Sequence, residues 1–163
     1  MEGEGTAKHI FTAPDAGVEM DKRSEVEAIA GRGLQGDRYF SDIEAGTFVT
    51  WESDEDRQDG YDLTLIEQEA IDAIEREADV VLAPGEHRRN IVTQDAALNH
   101  LVGTRFRIGT AICRGDRLCE PCGYLQDLTG KDLLDTLAHR GGLRADILES
   151  GTIRPGDTIE PLE

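Results

Sequence analysis

The sequence predicts a mainly β fold, an antiparallel barrel or sandwich, and three observations carry that prediction. Short alternating or apolar runs recur along the chain, each bounded by Gly, Pro, Asp or Ser. Helical spacing of apolar residues is confined to two stretches, residues 67–79 and 132–138. No internal repeat and no regular strand-helix alternation is visible, so the many short strands must hide their edges in another way, and closing the sheet does so.

Taken in order, residues 8–12 (KHIFT) and 24–30 (SEVEAIA) read as strands, joined through a turn at Pro14, Asp15 and Gly17. The next segment, GRGLQGDRYF, packs Gly31, Gly33 and Gly36 close together, which marks a backbone that turns tightly or approaches a neighbour closely. Asp37 and Arg38 come directly after these glycines and are candidates to line a pocket. Residues 46–52 (GTFVTWE) predict another strand with the only tryptophan, and the polar run 53–60 an exposed connection. Residues 61–65 resume the strand pattern. Ile66, Ala70, Ile71, Ile74 and Ala78 then recur on one face, giving an amphipathic helix over 67–79 that Pro84-Gly85 separates from the next strand.

Residues 88–93 (RRNIVT) predict a strand with Arg89 and Ile91 on one side and Asn90 and Val92 on the other. After a short helical turn near residues 96–98, residues 104–108 and 111–118 form a hairpin about Gly109-Thr110. Leu133, Leu134 and Leu137 predict a helix over 132–138, with Thr129 as a candidate cap and Gly141-Gly142 as its end. The tail gives two more strands around turns at Ser150-Gly151 and Pro155-Gly156-Asp157.

The 163 residues suit a single domain, residues 1–163, with its core over about 8–160. A formal charge of −17 argues against nucleic-acid binding, because a phosphate backbone would be repelled over most of the surface. Three lysines stand against fourteen arginines, and the acids are scattered rather than gathered in a tail. That pattern suits a halophile, since salt near molar concentration shortens the Debye length to ~3 Å and screens the self-repulsion. The first residues carry neither a basic start nor a long apolar run, so a cytoplasmic protein without membrane span is expected. Cys113, Cys119 and Cys122 are then reduced thiols, and Cys113 lies in an apolar run as a small hydrophobe.

Residues 86–125 concentrate the chemistry. They open on His87-Arg88-Arg89-Asn90 and close on Cys119-Glu120-Pro121-Cys122. Guanidinium forks match phosphate or carboxylate oxygens, and a thiol in positive potential, supplied here by Arg89 or Arg140, ionises more readily. The cysteine pair is open to three readings: a redox couple, half of a zinc site, or one working thiol beside a passenger. The first lacks a βαβ setting, and the second lacks a companion CxxC or HxxxH.

Five segments, GRGLQGDRYF, PGEHRRNIVT, LVGTRFRIG, CEPCGYLQDLTG and HRGGLRADILESGTIRPGD, in this order closely resemble a stand-alone MOSC domain, the module named after the C-terminal domain of molybdenum cofactor sulfurase. The likeness runs from about Lys8 to Asp157. It implies a β-barrel with a few short helices, and a cysteine, here Cys122, that carries sulfur or coordinates molybdenum in a pterin cofactor. Asp37, Arg38, Arg89 and Asn90 match the family's other signature positions, and with Arg140 they are the candidate cofactor-binding set. No aminotransferase-like desulfurase domain accompanies the motifs, so pyridoxal phosphate is not expected. The resemblance implies one of two activities. One is reduction of N-hydroxylated compounds on the molybdenum cofactor with electrons from a partner reductase. The other is a non-enzymatic carrier in which Cys122 takes a persulfide from a sulfur donor and passes it to a metal centre.

Overall fold

The computed structural model describes residues 4–15, 17–40 and 60–162. The strand expected over residues 46–52 and nearly all of the connection over 53–60 lie outside the described residues. In chain order the strands are β1 (Gly5–Thr12), β2 (Asp21–Arg23), β3 (Val26–Ile29), β4 (Gly33–Leu34), β5 (Leu63–Glu67), β6 (Ile91–Gln94), β7 (Arg105–Ile108), β8 (Ala111–Leu118), β9 (Leu143–Glu149), β10 (Gly151–Ile153) and β11 (Thr158–Pro161). The helices are α1 (Gln68–Ala78) and α2 (Gly123–Thr129), with a 3-10 turn at Leu98–Leu101.

The sheet order β11-β7-β8-β9-β5-β6-β1 closes on itself because β1 also pairs with β11. The result among the described residues is a seven-strand barrel, with β2 added as a hairpin on β1 and a separate sheet of order β10-β3-β4 beside it. Register shifts at Ala7/His9 in β1 and Gly115/Arg117 in β8 bend those strands and supply curvature. The pairing of β5 with β6 is parallel and needs a crossover, which α1 provides.

Alternation along β1, β5 and β6 sends successive side chains to two different cores. Ile10, Leu65 and Ile91 face the barrel interior with Phe106, Ile108 and Leu143. Their neighbours Phe11, Ile66 and Val92 face outward and are covered by Ile74 of α1, Leu125 of α2, Leu133 and Leu137. The helical layer therefore sits on one flank of the barrel, and the cysteine loop lies at its border.

Four expectations need correction. The strand predicted over residues 88–93 begins only at Ile91, because the turn bond from the Arg88 N–H to the Gly85 carbonyl (3.0 Å) carries Arg88 into left-handed backbone at φ 64°. Residues 132–138 form no helix, and turns run over residues 134–140 instead. Leu133 and Leu137 are buried as the spacing required, but the Leu133 and Leu134 N–H groups donate to Gln126 Oε1 (3.2 and 3.0 Å), a side-chain anchor in place of a helical ladder. The helix forms instead at α2, directly after Cys122, and Thr129 stands at its last turn with its hydroxyl on the Leu125 carbonyl. The tail contributes three strands, β9 to β11, one more than its turns suggested.

Candidate functional site

Residues 86–125 meet at their two ends. Arg89 is buried, and its guanidinium reaches the cysteine loop: Nη2 donates to the Cys119 carbonyl (2.9 Å) and to the Glu120 carbonyl (3.4 Å), and Nε donates to the Gly141 carbonyl (2.8 Å). Nη1 donates back to the His87 carbonyl (3.3 Å). A side chain expected to hold an anion thus has most of its donors on main-chain oxygens, and it fixes the position of the loop. Gly141 completes the seat, since a Cβ there would lie 2.5 Å from the Cys119 carbonyl oxygen and 3.1 Å from the Pro121 ring. Only glycine allows that approach.

Asn90 plays a similar part. Its Nδ2 donates to the Phe11 carbonyl (3.1 Å), while its Oδ1 accepts from the Thr64 N–H (3.0 Å) and lies 3.2 Å from the Thr64 hydroxyl. It ties β1 to β5 where their barrel pairing through β6 has not yet begun. Asp37 is buried, and its Oδ1 accepts from the Ala13 N–H (3.1 Å). Burial pushes its carboxyl above the usual range, opposed by the Ala13 and Tyr39 amides, the Arg38 charge and Asn90. His87 is buried edge-on to Phe11, and its Nδ1 accepts the Arg89 N–H (2.9 Å). Burial, with the charges of Arg89, His9 and Arg88, lowers its pKa to about 3, so the ring is neutral.

Arg89, Asn90 and Asp37 wall a cavity of about 160 Å³ that Cys119 and Cys122 also line, with His87 behind Arg89 and outside the lining. Cys119 is buried, whereas Cys122 is exposed just before α2. Residues 119–122 contain neither a turn nor a bend, Cys122 is extended, and both cysteines are free thiols. Cys113 is far from both in sheet terms, paired across from Phe106 and Ile147 inside the barrel, where burial pushes its thiol up. Among the described residues no three His, Cys, Asp or Glu side chains gather closely enough to hold a metal ion, so the sequence's zinc reading finds no ligand set there.

Arg38 and Arg144 also face the cavity, with Arg38 4.6 Å from the Tyr39 ring centre and Arg144 4.8 Å from that of Tyr61. Four arginines, Arg38, Arg88, Arg89 and Arg144, stand there against the carboxyls of Asp37 and Glu120. In a chain of charge −17 this is a local reversal of sign, suited to an anionic ligand. Arg140, by contrast, is not brought to the cavity: its Nε donates to the Thr136 carbonyl (2.8 Å) and its Nη2 to Glu77 Oε1 on α1 (3.0 Å). Sequence reasoning missed Arg144 and the two tyrosines. Arg144 was findable, because Leu143, Ala145 and Ile147 alternate inward and leave it on the opposite face. Tyr39 and Tyr61 gave no pattern, as their pairing at 5.5 Å joins segments far apart in the chain.

A family model for the MOSC domain matches residues 54–160. The chain belongs to the MOSC domain family. Solved structures agree at the level of fold. This MOSC chain superposes on the YuaD protein of Bacillus subtilis with a TM-score of 0.74 at 14% identity, covering 96% of this chain and 94% of that one. It superposes on YiiM from Geobacillus stearothermophilus with a TM-score of 0.69 at 14% identity (98% and 75% covered). YiiM from Escherichia coli gives 0.66 at 16% identity (98% and 70% covered). A comparison with curated proteins finds no match. Asp37 and Arg38 precede the matched range of this MOSC chain, while Arg89, Asn90 and Cys122 fall inside it. Among the described residues no helix is long and apolar enough to cross a membrane.

Proposed function

We propose that this MOSC chain binds a molybdenum-pterin cofactor in the cysteine cavity and serves in the reduction of N-hydroxylated compounds with electrons from a partner reductase. The observation that carries the reading is one accessible thiol, Cys122, opening onto a cavity that holds four arginines. That donor set fits the group: a thiolate is a ligand for a soft metal, and guanidinium groups suit the phosphate of a pterin. Cys122 would ligate the metal, and Arg38 and Arg144 would meet the anionic part. When bound, the cofactor supplies two-electron oxygen-atom chemistry that no side chain here offers. Arg89 and Asn90 act beneath it, the first holding the cysteine loop and the second joining β1 to β5 under the cavity floor. Asp37 fixes the segment that carries Arg38. Neutral His87 keeps an acceptor for the Arg89 amide and adds no charge to the site.

A second reading has its own support in the exposure of Cys122. An exposed thiol can take a sulfane sulfur from a donor protein and release it to an acceptor, which a buried ligand cannot. Molybdenum, pterin and sulfane-sulfur analysis of the purified chain separates the two. Molybdenum and pterin in equal amounts support the reductase reading, sulfane sulfur without molybdenum supports the carrier, and neither on a folded chain supplied with both overturns this assignment of the cavity. We place the protein in the cytoplasm, where three free cysteines stay reduced, and read the acidic excess as adaptation to high salt.

A further inference from the structure

Another cavity, of about 180 Å³, lies on the flank of the barrel between α1 and strands β1 and β6, and it shares no lining residue with the cysteine cavity. Phe11, Ile71, Leu82, Pro84 and Val92 give it apolar walls, and His87 lines it as well. For scale, an apolar cavity of ~150 Å³ in a protein interior takes benzene. His87 is buried, at 3% exposure. Its Nδ1 accepts the Arg89 N–H (2.9 Å), so on the neutral ring the proton sits on Nε2. Nε2 has no hydrogen-bond partner among the described residues, yet it is not sealed off, since the unpartnered side-chain atoms fully enclosed there are both on Arg88. The small accessible surface of His87 therefore includes Nε2, and its N–H opens onto the cavity that the residue lines.

The remaining polar groups leave this donor as the one enclosed polar feature. Gln68 gives its Nε2 to Asp72 Oδ1 (2.9 Å), and Lys22 is exposed on β2 with its ammonium in water. Burial and the charges of Lys22 and Lys8 hold His9 below its ordinary pKa, toward the neutral form. No carboxylate lines the cavity among the described residues. A carboxylate ligand seated at the depth of His87 would lose its hydration without meeting a buried cation, whereas an uncharged acceptor would satisfy the N–H at little cost. The edge contact with Phe11 and the Nδ1 bond account for the ring and one of its nitrogens, and they leave a buried donor unmatched.

We propose that this cavity binds a small uncharged carbonyl compound with an apolar body, its oxygen accepting from His87 Nε2–H and its body lying against Phe11, Ile71, Leu82 and Val92. The site lies beyond the cofactor reading and does not depend on it, since none of its residues lines the cysteine cavity.

NMR titration of the full chain tests it, reading the His87 imidazole signals and the methyl signals of Ile71 and Val92. The probes are acetophenone, α-methylstyrene, in which a CH2 group replaces the oxygen, and benzoate. Acetophenone is expected to shift both sets of signals and to bind about threefold or more tightly than α-methylstyrene, the ratio for one neutral hydrogen bond. His87→Phe is expected to bring acetophenone down to the affinity of α-methylstyrene. Leu82→Trp, which fills the cavity from a half-buried position, is expected to remove the methyl shifts. Equal affinity of the parent for acetophenone and α-methylstyrene would overturn the proposal, as would acetophenone binding Leu82→Trp like the parent. Benzoate bound more tightly than acetophenone would assign the cavity to an anion at Lys22 and overturn it too. Absence of shifts with every probe on the folded parent would leave His87 as the acceptor of the Arg89 amide alone. The probe pair and Leu82→Trp remain informative if His87→Phe fails to fold.

Discussion

Inside the barrel, Leu65, Ile91 and Phe106 are fully buried among apolar neighbours, and continuous strand pairing satisfies the backbone around them. Around the cysteine loop the buried groups are Arg89, Asn90, Asp37 and His87, and the backbone there is held by side chains. The first region is defined by area removed from water and tolerates volume-conserving exchange. The second is defined by a few directional bonds, each of which leaves a buried carbonyl or amide without a partner when it is removed. A loop that carries an exposed thiol is thus positioned without strand pairing of its own, and neighbouring residues differ: Arg89 has its donors on carbonyls, while Nε and Nη2 of Arg88 have no partner among the described residues.

The sharpest way to break this contrast is Arg89→Ala. It strips the Gly141 and Cys119 carbonyls of their donor, and urea unfolding should show a loss of about 3–5 kcal/mol, larger than a methylene deletion in the barrel such as Ile91→Val, at about 1 kcal/mol. A loss below that of Ile91→Val would mean that the loop holds itself.

Next in size is the response to acid. His87 has a folded-state pKa of about 3 against an ordinary 6.5, so the unfolded chain takes up a proton that the folded chain refuses. Its contribution is complete above about pH 6.5 and is lost as pH falls toward 3, at about 1.4 kcal/mol per unit. Between about pH 7 and 5 the parent should lose about 2 kcal/mol more than His87→Gln, read from unfolding curves at each pH. Parallel curves would mean that the ring is not held neutral. The smallest effect concerns the surface shared by both regions: raising KCl from dilute to molar should lift the melting temperature by roughly 2–4 °C or more as repulsion is screened. A flat response would remove the salt-adaptation reading.

The barrel was legible because its signal is periodic. Residues 111–118 were bounded correctly as a strand, and the helix expected over 67–79 matches α1 to within one residue at each end. The cysteine end was less legible because its determinants are not periodic. Cys122, Arg89, Asn90, Asp37 and Arg38 were singled out and do meet on one cavity, yet Arg89 and Asn90 turn out to bond to main-chain groups, a distinction that residue type does not carry. Arg140 was assigned to the site on charge alone and pairs with Glu77 instead, because α1 approaches it in space from far along the chain. α2 escaped notice since its glycine start and its short length give little helical pattern, and the leucines at residues 133–137 mimicked a helix while being fixed by Gln126.

The central claim is that one thiol of the pair, Cys122, does the chemistry while Cys119 packs the loop. Molybdenum and pterin content should therefore be measured in parallel on Cys122→Ser and Cys119→Ser after identical loading, serine being close in size to cysteine but a poor ligand for a soft metal. The account predicts that Cys122→Ser loses the metal, at about tenfold or greater depletion, while Cys119→Ser keeps most of it. Equal loss in both variants, or full retention in Cys122→Ser, would contradict it.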